Sequence, residues 1–186
     1  MELDPVDRIT ADAVGEPGRR AFYLQARKGR EVVTVLVEKQ QVELLSASIL
    51  EILSRIGMET GEGPTDDELD LEEPLEPLWR AGRLSIGYEQ ERDLILLELV
   101  EMVADEEDDA DDEDEGNGQS DGDEEDLDEV DIGADHVRLW ATREQMLALS
   151  RHGAAVVARG RPTCQFCGNP IDPEGHRCPA MNGHRA

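Results

Sequence analysis

Cys164, Cys167 and Cys178 are the only cysteines of the chain, and they stand with His176 and His184 in one stretch, CQFCGNPIDPEGHRCPAMNGH. Thiolates and imidazoles are the ligands of structural zinc, so Zn²⁺ is the expected cofactor. Cys164-Gln165-Phe166-Cys167-Gly168 has the form of a zinc knuckle. Two residues between the thiolates let both sulfurs reach one ion, and the glycine frees the backbone to turn its N–H groups toward them. Cys178 supplies a third thiolate. A tetrahedral site needs one ligand more, and two histidines are available. His176 follows the Pro173-Glu174-Gly175 turn, which reverses the chain toward the knuckle, and His184 follows the turn pair Asn182-Gly183. His176 is the better placed, with His184 the alternative. Four protein ligands would leave no open position for water or substrate, so the site is expected to be structural. The alternatives are three free surface thiols or a redox pair. The second would want a βαβ context that the surrounding sequence lacks.

The segment from residue 161 to 186 is short and poor in apolar residues, so a bound ion is its expected source of order; zinc contributes on the order of 10–16 kcal/mol to such peptides. It ends an acidic chain of 186 residues with a formal net charge of −27. The charge is uneven: Asp105 to Asp131 holds 18 acids and no base, whereas the part after Arg138 is mildly basic. General nucleic-acid affinity is disfavoured because phosphate backbones are read mainly through Lys and Arg. Binding through the basic tail is the one exception left open. Acidity suits protein partners. The N-terminus, MELDPVDRIT, lacks the basic and apolar regions of a signal peptide. No apolar run approaches the roughly 18 residues of a membrane span, so a cytoplasmic protein without membrane contact is expected.

The body that carries the tail reads as follows. Phe22 to Ala26 and Val32 to Val37 are rich in β-formers and flank Lys28-Gly29, a hairpin pattern. Val42, Leu45, Ile49, Ile52 and Ile56 share one face of a helix that Gly57 stops. A linker dense in Pro, Gly and acids follows, with Trp79 expected to dock on the domain. Residues 83–89 and 94–103 read as strands, and so does His136 to Ala141, which runs into a helix opened by Thr142 and Gln145 at capping-box spacing. Residues 104–133 cannot bury enough apolar surface to order themselves and read as an acidic disordered insertion. VLVEKQQVELLS and RLWATREQMLALS can be laid over one another, Lys39 on Arg143, Gln41 on Gln145 and Ser46 on Ser150. Either the chain holds duplicated ββα units, with the acidic run as an overgrown hairpin loop, or any strand-to-helix junction looks this way. The expected fold is α+β, a mainly antiparallel sheet with two helices: a domain over 1–160 and a zinc-knuckle tail over 161–186.

GEPGRRAFYLQAR, VEKQQV, EPLWRAG and the C-x2-C-G-x-P-x-D-P-x-G-H-x-C-P-x-x-N-G segment resemble an actinobacterial family with no established activity, the domain-of-unknown-function family 3090. The resemblance places Cys164, Cys167, His176 and Cys178 in the family's motif, which favours His176 over His184, and it treats the acidic insertion as a departure. It also implies shared work with phosphatase-like and kinase-like proteins. No P-loop, dinucleotide fingerprint or nucleophile elbow occurs. His136 and His152 read as ordinary surface or half-buried side chains. The expected function is a non-catalytic zinc-containing binding or adaptor protein. A phosphate-handling or hydrolytic enzyme with a pocket on the α+β body is the alternative.

Overall fold

A computed structural model describes residues 1–103, 133–160, 163–169, 171 and 175–181. The acidic insertion, apart from Gly133, and the alternative ligand His184 lie outside these residues. Among the described residues, seven strands and two long helices follow in the order β1 (Glu2–Leu3), β2 (Arg8–Val14), β3 (Ala21–Lys28), β4 (Glu31–Val37), α1 (Lys39–Ile56), β5 (Ala81–Glu89), β6 (Leu94–Glu101), β7 (His136–Ala141) and α2 (Arg143–Ala158). This is an α+β fold dominated by antiparallel pairing.

The strands divide into the sheets β2-β3-β4 and β1-β7-β6-β5. β3 and β4 form the expected hairpin, but Lys28 pairs with Glu31, so the turn is Gly29-Arg30, one residue later than Lys28-Gly29. The expectation lacked β1 and β2. Gly15-Glu16-Pro17-Gly18 lies in the turn that joins β2 to β3. β6 pairs with β7 from Ile95–Ala141 to Val100–His136, which makes the acidic insertion a hairpin connection.

The internal similarity is a structural repeat, and each unit has three strands rather than two. β2-β3-β4-α1 and β5-β6-β7-α2 are both antiparallel meanders that end in a helix. The helix starts are built alike. Gln41 accepts from the Glu38 N–H and donates to the carbonyls of Ala81 and Gly82. Gln145 accepts from the Thr142 N–H and donates to the carbonyls of Val6 and Asp7. α1 is thereby pinned to the first strand of the second unit, and α2 to the two residues that lead into the first strand of the first unit. The edges are exchanged too: β1 pairs in parallel with β7, while Arg80 pairs in parallel with Leu36 of β4. One edge of each three-strand meander, β4 and β7, is thus met by a segment of the other half, which blunts it as a template for aggregation, while β2 and β5 are the outer strands.

The core is aliphatic, as the 3% aromatic content requires; Phe22 is its one aromatic member among the buried residues, and Trp79 packs partly buried against it. The helices cross where Ser150 donates to the Ser46 carbonyl at 2.8 Å. A Cβ at Gly153 would lie 3.0 Å from the Ser46 hydroxyl and 3.1 Å from Val42, so glycine permits that approach.

The Pro- and acid-rich stretch after α1 is a strap. Residues Asp66–Leu69 form a 3-10 turn, and Leu69 is 1% exposed. The strap crosses a row of register partners on the first sheet, Thr10–Gln25–Thr34, all three buried. Thr10 donates to the Leu69 carbonyl at 2.5 Å, and Gln25 both donates to the Glu72 carbonyl and accepts from the Glu72 N–H. Buried polar side chains must be paired, and the strap's backbone is what pairs them.

Candidate metal centre

Four donor atoms, the sulfurs of Cys164, Cys167 and Cys178 and a ring nitrogen of His176, lie within 4.8 Å of one another. The Sγ atoms of Cys164 and Cys178 are 3.8 Å apart, and Cys167 Sγ is 3.2 Å from His176 Nε2. Tetrahedral zinc with bonds of about 2.3 Å to sulfur has ligand–ligand edges of about 3.8 Å. The four residues are close enough together to hold one metal ion, and their donor set is one that zinc accepts. Cys164 and Cys178 are buried, with Cys167 and His176 half-buried.

Local backbone geometry explains the convergence. Gly168 N–H donates to the Cys164 carbonyl and Cys164 N–H to the Asn169 carbonyl, both at 2.8 Å. These bonds close a tight loop, and Gly168 turns it at φ 72°, a left-handed conformation suited to glycine. The backbone N–H groups of Phe166 and Cys167 point at the Cys164 sulfur and hold its thiol below the ordinary cysteine range. This is the N–H-to-sulfur arrangement expected of a knuckle, and it favours the thiolate that a metal needs. At Cys167 the Asn169 N–H pulls the same way, but burial and the two neighbouring thiols outweigh it and push the value up.

Elsewhere, charged groups converge but are spent on one another. A cleft of about 710 Å³ between α1 and the β5–β6 turn presents Arg55, Tyr88, Gln90 and Asp93 among apolar side chains. Asp93 is fully engaged: Arg143 holds both its oxygens at 2.9 and 3.0 Å, and Tyr88 donates to it at 2.8 Å. That partnership keeps its carboxyl below the usual range. A second cleft, about 410 Å³, gathers Asp7, Arg8, Arg27, Glu68 and Glu72. Its arginines pair with Glu72 at 3.6 and 3.1 Å and tie down the strap.

His152 is neither on the surface nor half-buried, as the sequence suggests; it is 4% exposed. Its Nε2 lies 3.4 Å from Asp12 and its Nδ1 3.8 Å from Asp66 of the strap. Neither contact is aligned as a hydrogen bond, so the attraction is between charges. Asp12 is the main reason that the imidazole is raised above its ordinary value despite burial. Nothing local marks His152, because its partners are far away in sequence. His136 is exposed, as expected.

A repeated βββα body followed by a Cys/His cluster of four donors defines an α+β protein with a potential metal-binding tail. Residues 1–178 match the model of the family described as "Protein of unknown function (DUF3090)", and the chain belongs to that family. No curated protein and no solved structure matches it. No helix among the described residues is long and apolar enough to cross a membrane.

Proposed function

We propose that the chain is a non-catalytic binding or adaptor protein whose C-terminal tail is ordered by one structural Zn²⁺ on Cys164, Cys167, His176 and Cys178. The observation that carries this reading is the mutual approach of four donors within 4.8 Å. Three thiolates and an imidazole fill a tetrahedral shell, so no position is left for an activated water. The partner is a protein, since the chain's charge of −27 opposes polyanions. The enzymatic alternative needs a free acid and base set against one another in a cleft, whereas Asp93 in the first described cleft is held by Arg143 and the arginines of the second are paired with Glu72.

Metal analysis of the full chain tests the centre. One zinc per chain is expected, released by chelator with loss of tail order, while Cys178→Ser removes most of the bound metal and His176→Ala weakens it by 10-fold or more. Metal-free protein with a protected tail in hydrogen exchange would overturn the reading. A turnover that survives purification and depends on Asp93 or Arg55 would favour the enzyme instead.

A further inference from the structure

The strap identifies what the matching groove on the other half of the molecule is shaped to hold. Laying α2 on α1 by their capping glutamines, and β2 on β5 by the carbonyls those glutamines bind, brings Ala148 onto Leu44, Arg8 onto Arg83 and Thr10 onto Ser85. Between α2 and β2 this groove is filled. Gly63 lies so close to α2 that a Cβ there would fall 2.2 Å from the Glu144 carbonyl and 3.0 Å from Ala148. Leu69 is the buried anchor, and Thr10 and Arg8 donate to the carbonyls of Leu69 and Glu68. Arg8 also faces the Glu72 carboxylate, three residues after the anchor, at 3.6 Å.

Between α1 and β5 the same groove is open. A depression of about 260 Å³ is lined by Leu44, Ser48, Arg83, Leu84 and Ser85, among others, and meets the larger cleft at Ile86. Leu44 is 59% exposed and Met58, farther along, 56%. The hydroxyl and the guanidinium that would read a peptide's carbonyls and carboxylate, Ser85 and Arg83, are both exposed.

We propose that the α1–β5 groove docks an extended peptide segment of a partner protein, anchored by a leucine and carrying a carboxylate three residues after it. This rests on the reading of the chain as a binding module and names the surface and the partner's chemistry. The chain's own acidic run fits less well: Leu127 is its only leucine, and three residues on stands Val130 in place of an acid.

The test is a fluorescent peptide with the strap's own sequence, Thr65 to Pro74, titrated into the full chain by anisotropy. Saturable binding is expected, weakened about tenfold by Arg83→Ala, the size of one charge-assisted hydrogen bond. Binding is lost with Leu44→Asp, or when aspartate replaces the anchor leucine of the peptide. Circular dichroism checks that both exposed-site variants remain folded. Binding indifferent to Arg83→Ala means that the peptide displaces the native strap, and it overturns the proposal. Binding seen only after removal of residues 104–132 overturns it in favour of the chain's own acidic run. A dimer that Leu44→Asp dissociates overturns it in favour of a second copy. No binding in any form also refutes it, and if the tail still holds zinc the proposed function survives that failure.

Discussion

The two βββα halves share a plan and differ in what covers them. In the first, the register row Thr10–Gln25–Thr34 is neutral, buried and roofed by the strap. In the second, the matching row is Ser85–Glu98–Arg138, with Ser85 and Arg138 exposed and Glu98 taking the Arg138 Nε at 2.7 Å. The sheet backbone is the same in both, so the exposure of a row is decided by whether a segment with free carbonyls and an apolar anchor lies over it. Where it does, the row is neutral, Thr10 and Gln25 donate to the segment's carbonyls, and Gln25 also donates to Thr34. Where it does not, a salt bridge facing water serves.

The sharpest way to break this contrast is at the anchor. Leu69→Ala should cost about 3 kcal/mol, since it empties a site sealed from water, and denaturant unfolding would measure it. Leu44→Ala on the open counterpart should stay within about 0.5 kcal/mol. Equal costs at the two positions would mean that both grooves are filled. Next come the rows. Gln25→Ala strands the N–H and carbonyl of Glu72 and the hydroxyl of Thr34, with an expected loss of about 2 kcal/mol. Glu98→Ala breaks only a pair in contact with solvent, for about 0.5 kcal/mol, and that loss should shrink in high salt.

The capping glutamines sharpen the comparison from the other side, because there the halves agree. Gln41→Ala and Gln145→Ala each remove one cap and two contacts to carbonyls, so each should cost about 1 kcal/mol by the same unfolding assay. A large difference between them would show that the exchange of contacts between halves is not energetically symmetric.

How much of this was legible depended on whether the signal was local. α1, with its stripe from Val42 to Ile56 and its stop at Gly57, could be read because periodicity and capping act within a few residues. The capping box of Thr142 and Gln145 and the knuckle from Cys164 to Gly168 were legible for the same reason. β2 was not: RITADAV is short and weakly apolar, with Thr10 and Asp12 between its apolar residues, and Thr10 is buried only because the strap arrives. β1 is two residues long and exists by parallel pairing with β7, which no local pattern announces. The strap read as a linker because much of its hold on the sheet is made by backbone groups, which every residue has. Leu69 and Leu71, set among acids, hinted at an anchor, and of the two Leu69 is the buried one.

The smallest expected effect concerns His152, the charged clasp of the closed groove, whose counterpart in the open one is the neutral Ser48. Asp12 raises the folded-state value of the imidazole above its ordinary one. The stabilisation is therefore full below the unfolded value near 6.5 and is lost as pH rises through the higher folded value, where the ring becomes neutral. Asp66 is exposed and screened, so the change should be a melting point lower by about one degree at pH 9 than at pH 6. His152→Gln should flatten that slope, and hydrogen exchange across residues 63–72 should follow the same pH dependence as the clasp lets go. A slope that persists in His152→Gln would place the titrating group elsewhere and leave the strap held by Leu69 and the polar row alone.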